Sequence, residues 1–306
     1  MKIFNYKDKS FIEKLNFFID QRNNFNIGND KLEKEVKKII NEVREKGDKA
    51  LIKYSKKFDK INLDKNELKI PFEILKSYKG KIDQNIFQSF KIAIKNIKKF
   101  HKKQFPKNYQ LIQNNIKTGT IWKSIESVGL YIPGGNAVYP SSLLMNTIPA
   151  QIAGVKRIVV TTPSQNGKFN PYLLALLDLL GINEVYQIGG SQAIAALAYG
   201  TETIKPVNKI FGPGNSYVTI AKKNVFGKVG IDLIAGPSEI VVVANNNNNP
   251  EWVASDMIAQ AEHDEKAQSI LITDSIIFKN RVIKSINNLV NQIPKKKNSE
   301  EKFKKL

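Results

Sequence analysis

A chain of 306 residues is long enough for about two domains at ~150 residues each, and its 42% hydrophobic and 25% charged content allows packed cores. It contains no cysteine, which excludes disulfides, thiolate metal sites and a cysteine nucleophile. The formal net charge is +20, nearly all of it from lysine, since the arginines are Arg22, Arg44, Arg157 and Arg281. Base-specific nucleic-acid readers lean on the arginine fork. The lysine excess also travels with asparagine and isoleucine, as in the run Asn245 to Asn249. The charge therefore reads as biased residue usage on solvated faces. The competing reading, a nucleic-acid partner, would show itself as steeply salt-dependent DNA binding. Charges interrupt the opening MKIFNYKDKSF before a signal-peptide core can form. No run approaches the ~18 apolar residues of a membrane helix. The expectation is a soluble, cytoplasmic protein with neither membrane nor nucleic acid as partner.

In chain order, residues 30–58 predict helices, with Val36, Ile39, Ile40 and Val43 on one apolar face. Gly47-Asp48 interrupts, and Ala50, Leu51 and Tyr54 open the next helix. A further amphipathic helix is expected over 83–104, its stripe formed by Ile86, Phe90, Ile94 and Ile97. From about residue 127 short β-rich runs alternate with helical patterns. Strands are predicted at 128–132, 157–161, 184–188, 209–211, 231–233, 239–243 and 269–273. Helices are predicted at 141–153, 171–180, 192–199, 215–225, 251–267 and 276–291. Apolar strands alternating with helices indicate an α/β protein with parallel sheet covered on both faces. The glycines gather after the strands, at Pro133-Gly134-Gly135, Gly189-Gly190, Gly212-Pro213-Gly214 and Gly236-Pro237. Ligands in open α/β sheets bind beyond the carboxyl ends of strands.

Two features could carry chemistry. Gln260 and His263 share one face of a predicted helix through i,i+3 spacing. An imidazole nitrogen is a good zinc ligand and an amide oxygen a weaker one, but two ligands do not close a site that needs about four. The other histidine, His101, sits on a lysine-rich helix and reads as a partly exposed surface residue. The glycine loops before helices could receive a phosphate on backbone N–H groups. Tight turns explain them equally well, and no G-x-G-x-x-G fingerprint is present.

Longer motifs go further. The run ESVGLYIPGGNAVYPSSLLMNTIPAQIAGV (126–155) resembles the signature of histidinol dehydrogenases. So do YQIGGSQAIAALAYGTETI (186–204), KIFGPGNSYVTIAKK (209–223), AGPSEIVVVA (235–244) and WVASDMIAQAEHD (252–264), with GDKALIKYSKKFD (47–59) upstream. The likeness runs in family order over roughly residues 30 to 275. It implies two Rossmann-like α/β domains with mostly parallel sheets and an N-terminal helical arm. The expected division is an arm at 1–24, a discontinuous domain of 25–127 and 238–306, and an NAD-binding domain at 128–237.

The resemblance also implies zinc- and NAD-dependent oxidation of L-histidinol to L-histidine through the aldehyde. Carried over residue by residue, Tyr131, Gln192 and Asn215 match dinucleotide-contacting positions. Ser238 matches a substrate contact, and Gln260 and His263 match two zinc ligands that also hold substrate. Members of the family are homodimers with shared active sites. The family's proton-accepting Glu-His pair and its remaining zinc ligands have no match before Leu306, so no catalytic residue is assigned. Without cysteine, aldehyde oxidation must rely on a base and an activated water or hydrate. Alternative readings are a catalytically degenerate NAD-binding homologue and a relative oxidising another alcohol, such as a sulfonated diol.

Overall fold

The structure is a computed structural model and describes residues 2–27, 30–134, 139–164, 167–236, 238–263 and 267–292. The chain forms helices α1 (Phe11–Ile27), α2 (Asp30–Lys46) and α3 (Asp48–Tyr54), the last continuing into a π-helical turn at Ser55–Asp59. Helices α4 (Phe72–Ser77) and α5 (Gln84–Lys102) precede a hairpin of β1 (Tyr109–Gln113) and β2 (Ile116–Thr120). An alternating series follows: β3 (Ser127–Tyr131), α6 (Pro140–Ile152), β4 (Arg157–Thr161), α7 (Pro171–Leu179), β5 (Val185–Tyr186) and α8 (Gly190–Tyr199). It continues through β6 (Lys209–Phe211), α9 (Ser216–Val225), β7 (Gly230–Ile231) and β8 (Glu239–Val243). Last come α10 (Pro250–His263), β9 (Gln268–Ile272) and α11 (Ile276–Gln292). Two compact units result, one from residues 29–235 and one from the described parts of 1–28 and 236–306.

The larger unit is built on a parallel sheet of five strands among the described residues, in the order β5-β4-β3-β6-β7. Side chains on β3 alternate as the two-residue period of a strand demands. Val128, Leu130 and the following Ile132 join Leu143, Ile148, Leu174 and Leu177 on the face covered by α6 and α7. Tyr131 joins Ile194, Leu197 and Val218 on the face covered by α8 and α9. That second face is closed by the predicted stripe of α2, where Val36, Ile39, Ile40 and Val43 are all buried. The expectation groups 25–127 with 238–306; residues 29–127 fall instead in this unit, where α2 and α3 pack on the α8 side and α4 and α5 on the α6 side.

Gly47 ends α2 at φ 52, the left-handed region that glycine enters without steric cost. The next amide, Asp48 N–H, donates to Glu202 Oε2 at 2.8 Å, and the buried Asp48 carboxylate accepts from Thr203 Oγ1 at 2.5 Å. The α2–α3 corner is thus tied to the loop after α8.

Several predicted elements shift. On α5, Phe87 is buried beside Ile82 and Ala175, whereas Ile86, expected on the stripe, is 39% exposed. Phe87 lies three residues before Phe90, so the inner face passes through it instead. Strand β5 is shorter than 184–188 because Gln187 N–H turns to the Leu68 carbonyl at 2.9 Å. Strand β7 ends at Ile231, before 233, because the Asp232 carboxylate takes the next amide of the neighbouring strand, Gly212 N–H, at 2.9 Å. Helix α10 is described to His263, and 264–266 of its expected span lie outside the described residues.

The hairpin β1–β2 was not legible in the sequence. It turns at Asn114 and Asn115, with φ of 51 and 61. Two consecutive left-handed residues make the turn that matches strand twist, and asparagine tolerates that region better than most residues.

In the smaller unit, β8 and β9 pair in parallel and are joined by α10, with α11 packed on α10. Its core gathers Val253, Ala254, Met257, Ile258, Phe278, Val282 and Ile286. The opposite face of the two strands is open, with Val241, Val243 and Ile272 exposed.

Helix α8 crosses β3 at Gly129, where a β-carbon would stand 2.9 Å from both methyl groups of Leu197. Gly129→Val is therefore expected to overpack this layer and cost about 1–3 kcal/mol, read as a lower denaturation midpoint in urea. A midpoint equal to the parent's would contradict so tight a layer.

Candidate functional site

The strand order β5-β4-β3-β6-β7 carries a topological consequence. The chain runs outward from β3 to β4 and β5, then returns through α8 to the other side of β3 and continues outward through β6 and β7. The connections that follow β3 and β6 therefore lead to opposite faces of the sheet, to α6 and to α9. In open α/β sheets the crevice between such loops, at the carboxyl ends of the strands, is the place for a ligand.

Three sequence-predicted residues lie on the elements at this end of the sheet. Tyr131 ends β3 and is 4% exposed, and its hydroxyl accepts Gly190 N–H at 3.2 Å. Burial pushes the phenol up to about 12, against the Gly190 hydrogen bond, which pulls it down. Gly190 opens α8 at φ 63, and Gln192 lies two residues on, 1% exposed. Its Oε1 is buried and has no hydrogen-bond partner. A buried acceptor left unpaired costs free energy, which an arriving donor would return. Across the crevice Asn215 caps α9, with Oδ1 accepting Val218 N–H at 3.2 Å, and the residue is exposed. Gly212, at φ 121, lies so close to β3 that a β-carbon would overlap the Tyr131 carbonyl oxygen. Ser191 Oγ donates to the Tyr217 carbonyl at 3.0 Å and joins the starts of α8 and α9. Gly135, part of the loop after β3, lies outside the described residues.

One residue of this region escaped the sequence reading. Asp59 closes the π-helical turn, and its Oδ2 is buried without a partner. Burial pushes its carboxyl up to about 6, and its charge in turn raises the Tyr131 phenol. Phe58 beside it lies 6.4 Å from the Tyr217 ring, which sets the turn against the start of α9. Among so many surface charges, an aspartate between phenylalanine and lysine bears no local mark of burial.

In the smaller unit, Ser238 immediately precedes β8 and is exposed. Its carbonyl accepts Gln260 Nε2 at 3.4 Å and Gln268 N–H at 3.2 Å, so Ser238 and Gln260 come together. Gln260 and His263 lie three apart on α10. The His263 ring and Pro237 lie outside what is described. No cluster of three or more His, Cys, Asp or Glu suited to a metal occurs among the described residues. His101 is half-buried on α5, with Nδ1 2.7 Å from Gln104 Oε1.

A family model for histidinol dehydrogenase matches residues 22–306. The chain belongs to the histidinol dehydrogenase family. A histidinol dehydrogenase of Agrobacterium fabrum is 50% identical over 242 residues, covering 78% of this chain and 56% of that protein. One of Rhizobium meliloti is 44% identical over 293 residues, covering 95% and 67%. The crystal structure of histidinol dehydrogenase from Elizabethkingia anophelis superimposes with a TM-score of 0.82 at 38% identity, covering 88% of this chain and 63% of that one. The α/β fold with its mostly parallel sheet is thus the family's fold. The chain spans about three fifths of the length of the relatives it matches. Among the described residues no helix is long and apolar enough to cross a membrane.

Asp59 provides a pH test. Its folded pKa, about 6, lies above the ~3.9 of an unfolded aspartate, so ionisation opposes folding. This penalty is complete above the folded pKa and disappears as pH falls through 6 towards 4. Asp59→Asn removes it, so the variant is expected to be more stable than the parent at pH 7 and equal to it near pH 4. Urea titrations at both pH values check this, and a pH-independent difference would contradict it.

Proposed function

We propose that this chain is the dinucleotide-binding portion, and half of the metal-binding portion, of an NAD-linked, zinc-dependent histidinol dehydrogenase. The reaction is oxidation of L-histidinol to L-histidine through the aldehyde, a step of histidine biosynthesis in the cytoplasm. The observation that carries the reading is the switch point between β3 and β6, with Tyr131 ending β3, Gln192 in the first turn of α8 and Asn215 capping α9. The buried, unpartnered Gln192 Oε1 fits a ligand that brings a donor, such as a ribose hydroxyl or a carboxamide. NAD, when bound, supplies the hydride acceptor.

The chain's own residues then bind and orient. Gln192 Oε1 accepts a hydrogen bond from the dinucleotide. Asn215, whose Oδ1 is engaged in capping, offers its amide N–H groups. Gly212 lets the loop backbone lie close against β3. Ser238 and Gln260 face substrate. Gln260 donates from Nε2 to Ser238, which leaves Oε1 as its donor atom to a metal. Gln260 and His263 supply two of the about four ligands zinc takes. Zinc, when bound, polarises the substrate alcohol. The other zinc ligands and the Glu-His proton acceptors belong to the remainder of the full-length protein, and the active assembly is a homodimer with shared sites.

Two measurements test these assignments. Asn215→Ser keeps a capping oxygen but loses the amide nitrogen, whereas Asn215→Ala loses both and costs helix α9 about 1 kcal/mol. Calorimetric titration with NAD should show about tenfold weaker binding in both variants, with only the alanine variant melting lower. Parent-like NAD affinity in the serine variant would remove Asn215 from the site. For the metal, His263→Ala in the full-length protein should abolish stoichiometric zinc retention after dialysis and, with it, histidinol turnover. Retained zinc would contradict the ligand assignment.

A further inference from the structure

Lys222 is 4% exposed, the only basic residue buried among the described residues of this strongly basic chain. It projects from α9 and forms an ion pair with Asp232, the residue that follows β7. Its ammonium also donates to the Gly212 carbonyl at 3.0 Å. The Asp232 carboxylate accepts Gly212 N–H at 2.9 Å through Oδ2 and Leu233 N–H at 2.7 Å through Oδ1. The two charged groups thus hold the N–H and the C=O of one glycine from opposite ends. That glycine has φ 121, a conformation closed to other residues, and no room for a side chain against Tyr131.

Withdrawing an ion pair from water, Lys222 fully and Asp232 in part, is a poor way to gain stability, because desolvation can consume the attraction and well-packed apolar residues often do as well or better. What the pair provides is direction. We propose that Lys222 and Asp232 are positioning residues that lock the Gly212–Asn215 loop in its dinucleotide-receiving form. This rests on the reading of the β3–β6 crevice as the NAD site. The pair stands beneath the loop and needs no contact with ligand.

The test uses the full-length protein carrying Lys222→Met with Asp232→Leu, an apolar pair of similar volume. Three readouts are taken: the melting temperature, hydrogen exchange of the Gly212 amide without cofactor, and the Kd for NAD by calorimetry. The expected result is a melting temperature within a few degrees of the parent, rapid exchange at Gly212, and a Kd raised tenfold or more. A folded double variant with parent-like Gly212 protection and NAD affinity would overturn the proposal and leave the NAD reading intact. A parent that binds no NAD would overturn both. If the double variant does not fold, Asp232→Asn replaces it, keeping the shape and removing the charge that holds Lys222. It is expected to raise the Kd at least threefold, and an unchanged Kd would again overturn the proposal.

Discussion

Strand β3 exposes nothing. All five of its residues are buried, and its backbone groups are taken up by β4 on one side and β6 on the other. A central strand in this state must be apolar or small at every position, and both layers of helices must be present to cover it. Gly129 admits Leu197 of α8 on one face, while Val128 and Leu130 meet α6 and α7 on the other. The direction of the chain on leaving this strand fixes the crevice. One neighbour is reached through α6 and the other only after the return through α8, so the strand's carboxyl end is the one place where two loops part.

The polar groups of this unit are satisfied to different degrees. Around Arg157, four of the five guanidinium N–H donors are engaged, by both Glu184 oxygens and by the carbonyls of Lys205 and Pro206. Such a fork-to-fork pair, with two further donors on backbone carbonyls, is a structural joint. At the crevice, by contrast, Gln192 Oε1 and Asp59 Oδ2 are buried without partners, and Tyr131 is met only by a backbone amide among the described hydrogen bonds.

Much of the framework was legible because its signals are local. Strands at 157–161, 209–211 and 239–243 are apolar runs closed by proline, glycine or asparagine, and they appear where expected. The buried face of α2 follows from i,i+3 and i,i+4 spacing alone. What remained hidden is non-local. No periodicity tells that β6 lies beside β3 on the side away from β4. Nothing in a lysine-rich helix distinguishes Lys222, because its burial depends on Asp232, ten residues away and beyond a turn. Hairpin β1–β2 alternates without a buried side to give the alternation meaning, and its Asn-Asn turn is a weaker signal than Asn-Gly. The site residues came from resemblance of long motifs. Spacing by itself reached only glycine loops at strand ends and a Gln-x-x-His helix.

The open face of β8 and β9 has a consequence for how such a chain behaves in solution. Val241, Val243 and Ile272 form an apolar strip on a sheet of two strands among the described residues, and sheets this small are marginal by themselves. An exposed apolar strip of this kind favours contact between molecules. The net charge of +20 opposes such encounters, but that repulsion reaches only about 8 Å at physiological ionic strength. Colloidal stability thus hangs on a balance between a sticky strip and a lysine coat, and added salt tips it toward association.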